Sequence, residues 1–206
     1  TGDLWKDHLA ELPEGINLYL SDFTEGMVKE LSEKYNDFEF IKTEIIDIQD
    51  IPYEVNFFDV IIANFMLYHV PDIDNALREV HRVLKPNGFF YAATVGNNHL
   101  MEINQWVKAF DGHLDVFNSS ALSFRVQNGE DILRKYFEQV SLLEYFDHLE
   151  VDSKQDLLQY IGSFKDMSDL SDEAINGLSE FLEQHRQKDD NFKISKQSGT
   201  FICRKG

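Results

Sequence analysis

Phe58-Asp59-Val60-Ile61-Ile62-Ala63-Asn64 is a nearly continuous apolar run that ends in a polar residue. Such a run is typical of a strand buried on both faces of a parallel sheet. Residues 74–84 follow with an apolar stripe at helical spacing behind Asp74 as its cap. Lys85-Pro86-Asn87-Gly88 then predicts a turn into a second apolar strand, 89–95. The stretch predicts a strand–helix–strand unit, and open α/β sheets bind ligands at the carboxyl ends of such strands.

Strands and helices also alternate before this unit. Residues 16–22 alternate in polarity and end in Asp22, and residues 24–35 repeat apolar side chains at helical spacing. Residues 38–48 are rich in β-branched and aromatic side chains and end near Asp47. This alternation predicts an α/β fold with a doubly wound, mostly parallel, Rossmann-like sheet.

The second half of the chain is less regular. Residues 97–129 carry scattered aromatic side chains without a clean period, and we expect a cap or insertion there, over the ligand edge of the sheet. A helix, a strand, two further helices and a terminal antiparallel strand or hairpin are then predicted, over residues 130–136, 140–146, 153–161, 172–187 and 192–204. We expect a single domain, 1–206, with its core in 1–96 and 130–206.

Composition narrows the classes of function. The chain has 206 residues, and its formal net charge of −18 repels phosphate backbones, so nucleic acid is not an expected partner. The single cysteine, Cys203, excludes an internal disulfide framework and fits a reducing cytoplasm. No apolar run is long enough to span a bilayer, so we expect a cytoplasmic, acidic protein with no membrane partner.

Polar side chains close three successive predicted strands at Asp22, Asp47 and Asn64. Because the carboxyl ends of parallel strands meet at one edge of a sheet, we expect the three to converge. An acid that closes the second strand can accept hydrogen bonds from both ribose hydroxyls of an adenosine-containing cofactor. The structural alternative is that each acid only starts a turn.

These features occur together with four longer motifs, and the sequence resembles the class I S-adenosylmethionine-dependent methyltransferases of the small-molecule type. The resemblance runs from Thr1 to about Gly96 and returns more faintly in the last strands. The motifs are Leu20-Ser21-Asp22-Phe23-Thr24-Glu25-Gly26-Met27, Asp47-Ile48-Gln49-Asp50-Ile51-Pro52-Tyr53, Phe58-Asp59-Val60-Ile61 with Leu67-Tyr68-His69-Val70, and residues 76–88.

The resemblance implies an S-adenosyl-L-methionine cofactor and a role for each matching position. Asp22 would hold the ribose hydroxyls. Asp47 would accept from the adenine amino group, with Ile48 packed on the base. Asn64 and Phe65 would line the methionine end of the cofactor. Phe23 and Met27, which follow Asp22, are expected to contact the cofactor as well. For Met27 a place in the core on the apolar face of the helix is an equally good alternative.

The amino end departs from the family pattern. Thr1-Gly2 match the last two residues of the family's glycine-rich loop, and Gly2 lies 20 residues before Asp22, as expected of such a loop. We therefore expect that the strand which precedes this loop in the family is missing from the sequence. The strands that end at Asp22 and Asn64 then lack the partner between them. Either they pair directly, or another chain fills the gap in a homodimer, or the sequence is a fragment.

Methyl transfer from a sulfonium mainly requires positioning, and a general base is needed only if the acceptor loses its proton early. His69, on the loop after the Asn64 strand, is the candidate base, and its alternative is a loop histidine that packs against the helix. Tyr68, His99 and Glu102 are candidate contacts to the small-molecule acceptor. Four aromatic residues are expected to pack against the core rather than to line a substrate pocket: Trp106, Phe110, Phe117 and Phe124. No metal site is expected, because His113 and Asp115 have no second ligand pair at suitable spacing.

Three functions remain open. The first is an S-adenosylmethionine-dependent methyltransferase that acts on a small molecule. The second is a truncated or degenerate methyltransferase fold that serves as a binding or assembly module. The third, a nicotinamide-dependent oxidoreductase, is disfavoured because no Tyr-x-x-x-Lys pair is evident.

Overall fold

The computed structural model describes residues 2–114, 116, 121–164, 171–187 and 191–206. Its helices are α1 (Asp3–Lys6), α2 (Glu25–Tyr35), α3 (Ile73–Val83), α4 (Met101–Phe110), α5 (Val126–Leu133), α6 (Lys154–Gly162) and α7 (Asp172–Glu183). Its strands are β1 (Leu18–Asp22), β2 (Ile41–Ile45), β3 (Phe58–Asn64), β4 (Leu84–Val95), β5 (Gln139–Val151) and β6 (Phe192–Arg204).

The strands of the described residues form two sheets. β1 and β2 pair in parallel, and a four-stranded sheet has the order β3-β4-β6-β5. β3 and β4 are parallel, whereas β6 runs antiparallel to both β4 and β5. The predicted α/β class with an antiparallel carboxyl-terminal strand is confirmed. The alternative prediction of a hairpin over residues 192–204 is wrong, because this segment is one continuous strand.

Gly199 explains that error. Glycine is typical of turns, but Gly199 lies within β6, paired with Thr94 on one side and Glu144 on the other. A Cβ at this position would lie 2.9 Å from Leu142 Cδ1 and 3.0 Å from Val126 Cγ2. Close packing of α5 and β5 on the strand therefore excludes a larger residue there.

An aromatic cluster, rather than main-chain hydrogen bonding, joins β1 to β3. Among the described residues no ladder connects the two strands, so the predicted alternative of direct pairing is not observed. The ring of Tyr19 instead makes edge contacts with Phe58 and Tyr53, both at 5.4 Å between centroids, and with Phe57 at 5.8 Å. The two sheets are therefore neighbours with an open position between β1 and β3.

Helix α3 packs on the four-stranded sheet through the predicted apolar stripe, whose five members are fully buried: Ala76, Leu77, Val80, Val83 and Leu84. Its cap is Asp72, which accepts the Asn75 amide at 2.9 Å, and not Asp74 as predicted. Residues 85–88 also differ from prediction. They lie inside β4, where the register against β3 shifts between Phe58 and Val60, and Asn87 adopts a φ of 64°. The predicted turn is therefore a bulge within the strand.

The chain builds a main core around α3 and the four-stranded sheet, and a second core of helices. Phe124 is fully buried in the main core. The second core joins α4 to α6, α7 and the start of β6, and Trp106 and Phe110 pack against it. These three aromatic residues therefore pack in the cores, as predicted. Phe117 lies outside the described residues. In the part of the chain that is described, no helix is both long and apolar enough to cross a membrane.

Candidate functional site

Asp22 is the last residue of β1, and a tight turn carries the chain from it into α2. Its Oδ1 accepts hydrogen bonds from the Thr24 amide and from Thr24 Oγ1, both at 2.9 Å. The Asp22 carbonyl accepts the Ile46 amide at 3.1 Å, which ties the end of β1 to the end of β2. The carboxylate is partly exposed and keeps further lone pairs for a ligand. Asp22 therefore does form a turn, as the structural alternative proposes. The hydrogen bonds of Oδ1 with Thr24 also fix the position of the second carboxylate oxygen.

Asp47 lies two residues beyond β2, in a loop fastened to the start of α3. Its Oδ1 accepts the Gln49 amide at 2.9 Å. The Gln49 side-chain oxygen then accepts the Asp72 amide at 3.0 Å, and the Gln49 carbonyl accepts Asn75 Nδ2 at 2.7 Å. These bonds bring the Asp47 loop to the helix that follows β3. Ile48, next in sequence, packs partly against the main core.

Asn64 closes β3 and is exposed, opposite Ala93 of β4. The next residue, Phe65, has a φ of 51° and donates its amide to the Ala93 carbonyl at 3.0 Å. Left-handed backbone at a bulky residue is strained, and strained residues of this kind cluster at functional sites. The Phe65 ring is 46% exposed, and Phe23, after Asp22, is 70% exposed. Exposed aromatic rings thus follow both β1 and β3, whereas Met27 on α2 is partly buried.

His69 and Tyr68 lie in a short 3₁₀ turn, Leu67–His69, just beyond Phe65. The two rings meet edge to face at 4.5 Å, and His69 is exposed. Tyr68 packs partly into the main core, and its burial raises the pKa of its hydroxyl, with Tyr160 adding a smaller contribution. Tyr68 is therefore a hydrogen-bond donor at neutral pH, next to an accessible imidazole.

His99 and Glu102 follow β4, but their contacts are largely structural. The Glu102 carboxylate accepts the Ser195 amide at 2.8 Å and Ser195 Oγ at 2.6 Å, which fixes α4 against β6. Burial, followed by the charge of Lys196, lowers the pKa of His99, so its imidazole is neutral at pH 7. The geometry therefore supports a role for Glu102 in holding α4 in place more directly than a contact to an acceptor.

The contacts of Gly2 lie on helix α2. The Gly2 carbonyl accepts the Tyr35 hydroxyl at 2.7 Å, and a Cβ on Gly2 would lie 2.8 Å from Leu31. These residues belong to the carboxyl-terminal half of α2, whereas Asp22 precedes the amino end of that helix. With a φ of 69°, Gly2 allows a close packing of backbone on helix. Thr1 lies outside the described residues.

Two other features of the described residues carry no site. No group of three or more metal-ligating side chains occurs among them, and Asp115 lies outside them. A cavity of about 390 Å³ sits near the amino end of β4, away from Asn64, and Phe89, Arg134 and Arg204 line it. Both guanidinium groups are already engaged, by Glu130 and by Asn87.

An ion pair that the sequence does not reveal holds the loop after Asp47. Arg82 of α3 donates to the carbonyls of Tyr53 and Ile51 at 2.8 and 2.9 Å, and to Glu79 at 2.7 Å. Glu79 in turn accepts the Ile51 amide at 3.0 Å. These partners lie 28 to 31 residues apart in sequence, apart from the Arg82–Glu79 pair, so no local pattern predicts them. This Arg82–Glu79 clamp fastens residues 51–53 of the loop to the carboxyl-terminal half of α3.

We expect the clamp to weaken in acid. The Arg82 hydrogen bond, with help from the Ile51 amide, lowers the pKa of Glu79. A lowered pKa in the folded state means that the stabilisation is complete above the unfolded value of about 4.3 and is lost as the pH falls through the folded value. Urea unfolding should show the largest difference between wild type and Glu79→Gln from pH 7 down to about 5, and a shrinking one below about 4. Glu30→Gln, on an exposed site of α2, controls for net charge; a constant difference down to pH 3 would contradict the clamp.

Comparisons with known proteins show what the first half of the chain is similar to. Residues 5–92 match the family described as "Methyltransferase domain". A ubiquinone/menaquinone biosynthesis C-methyltransferase of Rickettsia akari is 41% identical over 78 residues, which are 36% of this chain and 32% of that protein. An arginine-hydroxylase, NDUFAF5, of Danio rerio is 30% identical over 101 residues, or 48% of this chain and 30% of that protein. The chain thus spans about a third of the length of these curated relatives.

Solved structures share the fold at low sequence identity. YcgJ from Bacillus subtilis superposes with a TM-score of 0.61 at 16% identity, covering 92% of this chain and 82% of that one. A phosphoethanolamine N-methyltransferase 2 of Haemonchus contortus, solved in complex with S-adenosyl-L-methionine, superposes with a TM-score of 0.58 at 18% identity. That match covers 99% of this chain and 46% of the other.

Proposed function

Because the chain carries the domain of the class I S-adenosylmethionine-dependent methyltransferases, we propose that it binds S-adenosyl-L-methionine at the edge formed by Asp22, Asp47 and Asn64 and transfers its methyl group to a small molecule. One observation carries the proposal. The Asp22 carbonyl accepts the Ile46 amide, which joins the ends of β1 and β2, and the Gln49 contacts fasten the Asp47 loop to Asp72 and Asn75, at the start of the helix that follows Asn64. The curated relatives and the cofactor complex support the choice of cofactor.

The geometry supports a division of labour along this edge. Asp22 has one oxygen committed to Thr24, and its second oxygen can accept from a ribose diol. Asp47, fixed by Gln49, can accept from an adenine amino group, and Ile48 offers an apolar side for the ring. Asn64 and the strained Phe65 begin the loop that would meet the methionine portion. Met27 and Phe23 complete the set on the α2 side.

The acceptor side lies on the residues that follow β3 and β4. Transfer from a sulfonium proceeds in line and depends on placing donor and acceptor, so bases make a smaller contribution than geometry. His69 is accessible and able to take a proton from an acceptor. The protonated Tyr68 packs against the His69 imidazole and can orient that ring. The similarity to curated relatives covers mainly the cofactor half, so the proposal stops at a small-molecule acceptor.

The cofactor claim is tested by thermal unfolding with and without 1 mM S-adenosylhomocysteine, the demethylated product. A ligand that binds only the folded state raises the free energy of unfolding by about 2.7 kcal/mol at 100 times its Kd. We expect a clear rise in Tm with this ligand and with S-adenosylmethionine, and none with NADH at the same concentration. An unchanged Tm with both sulfur ligands would support the inactive binding module instead, for which the open position between β1 and β3 is the motivating observation.

His69→Ala should separate chemistry from binding. If His69 takes the acceptor proton, turnover should fall roughly 100-fold, the ordinary contribution of a positioned general base, while the Kd for S-adenosylhomocysteine stays unchanged. His113→Ala, at another exposed histidine of the chain, is the matched control. Equal turnover in the two variants would remove His69 from the mechanism and leave a reaction driven by positioning alone.

A further inference from the structure

β5 is a long edge strand whose outer side no strand of the described residues covers. It pairs with β6 over its whole length, from Gln139 opposite Arg204 to Val151 opposite Phe192. Residues 143–150 are all exposed. Four of these side chains are large and apolar or aromatic, with exposed fractions of 63% for Leu143, 58% for Tyr145, 67% for Phe146 and 40% for Leu149. A long, apolar, unpaired edge favours pairing with another strand.

The sequence of this edge is chemically complementary to its own reverse. Two copies that pair antiparallel through the same edge are related by a two-fold axis perpendicular to the sheet, so directly opposite residues lie on the same face. The central stretch is Leu143-Glu144-Tyr145-Phe146-Asp147-His148-Leu149. With the axis at Phe146, Leu143 faces Leu149 of the second copy and Glu144 faces His148. Tyr145 then faces Asp147, an acceptor it already uses within one chain at 3.0 Å.

Neighbouring registers lack this complementarity. An axis at Asp147 would set that carboxylate against its own copy and Glu144 against Glu150, and like charges directly opposite are destabilising. An axis at Tyr145 would set Leu143 against Asp147 and Glu144 against Phe146. Only the axis at Phe146 joins apolar to apolar and acid to imidazole or hydroxyl across the whole central stretch.

We propose that the protein forms a symmetric homodimer in which the β5 strands of two copies pair antiparallel about Phe146, joining two four-stranded sheets into one of eight strands. The occupant is a second copy because the order of residues 143–149 is complementary to itself in the antiparallel pairing. β5 and β3 are the two opposite margins of the four-stranded sheet, so this interface leaves the Asp22–Asn64 edge accessible. A contact of one strand per copy is small, and we expect a dissociation constant in the micromolar range.

Sedimentation equilibrium between 1 and 100 μM tests the interface. Wild type should pass from monomer to dimer across this range, and Phe146→Asp, which places two carboxylates face to face on the axis, should stay monomeric at 100 μM. Val55→Asp, at a residue of similar exposure in a surface loop, should associate like wild type. A monomeric wild type at 100 μM, or a Phe146→Asp variant that still dimerises, would overturn the proposal.

A charge exchange tests the register. His148→Glu sets an acid against Glu144 of the second copy and should weaken association at least 10-fold. Adding Glu144→Lys restores an opposite pair at the same position and should recover most of the loss. If Glu144→Lys does not rescue His148→Glu, the register about Phe146 is wrong. Association can be absent while S-adenosylhomocysteine still raises the Tm, so the two proposals fail independently.

Discussion

Asp22→Ala should weaken the binding of S-adenosylhomocysteine roughly 100-fold. A hydrogen bond to a charged acceptor contributes about 1.5 to 3 kcal/mol, and a ribose diol would make two to this carboxylate. Loss of both is therefore worth at least about 3 kcal/mol, which is about two powers of ten in Kd. Isothermal titration calorimetry measures the change directly. The fixed position of the carboxylate, with one oxygen held by Thr24, makes the expected loss large, because little ordering is required when the ligand arrives.

Two matched variants separate recognition from local folding at this site. Asp22→Asn keeps an oxygen that can accept from Thr24, so the turn into α2 should survive while one acceptor and the charge are lost. We expect intermediate affinity and an almost unchanged Tm for the free protein. Asp37→Ala, at an exposed acid after α2, controls for net charge and should bind like wild type. If Asp22→Ala lowers the Tm but leaves the Kd unchanged, Asp22 is a turn residue only.

Phe201→Ala should lower the free energy of unfolding by about 3 to 5 kcal/mol, the usual cost of a large aromatic cavity in a core. The Phe201 ring is fully buried between β6 and α5, with an edge contact to Phe124 at 5.7 Å between centroids. It lies so close to α5 that a Cβ on Gly129 would come within 2.3 Å of it. Urea unfolding measures the loss, and Leu4→Ala, at a half-exposed side chain, should change stability by less than about 0.5 kcal/mol.

A double-mutant cycle makes this prediction sharper. Gly129→Ala alone should destabilise by about 1 to 3 kcal/mol, because overpacking against the buried ring outweighs the helix propensity of alanine, about 1 kcal/mol. In the Phe201→Ala background the same methyl enters a cavity and should stabilise. The two changes are therefore expected to be strongly non-additive. Additive effects would show that the ring and the glycine do not share one space.

Local sequence patterns predict much of the fold and of the site edge. The strands that carry Asp22 and Asn64 end where polarity alternation and the apolar run predict, because both signals are local. The buried stripe of α3 follows from its spacing alone. The predicted helix over residues 24–35 ends at the same residue, Tyr35, as α2 does in the structure. Where one segment's own periodicity determines its burial, sequence reasoning is sufficient.

The features that were mispredicted depend on residues distant in sequence. Asp72 and Asp74 are equivalent caps on composition, and Asp72 is selected because Gln49 holds its amide in place. Gly199 is a packing glycine of β6, which only the positions of α5 and β5 reveal. Glu102 stays a candidate contact to an acceptor, and its hydrogen bonds with Ser195, 93 residues later, are a structural role that no local pattern predicts. The Arg82–Glu79 clamp is not predictable for the same reason, because it joins α3 to a loop 28 to 31 residues earlier.

The open position between β1 and β3 has a thermodynamic consequence. Because side chains, and not a hydrogen-bonded ladder, join the two sheets, the β1–β2 unit can separate locally while every ladder of the larger sheet stays intact. Such a unit is a low-stability foldon, with amides that exchange at a smaller opening free energy than those of β4 and β6. A ligand that touches both Asp22 and Asn64 bridges the two foldons. Part of its binding free energy would then couple the two units, so that they unfold together.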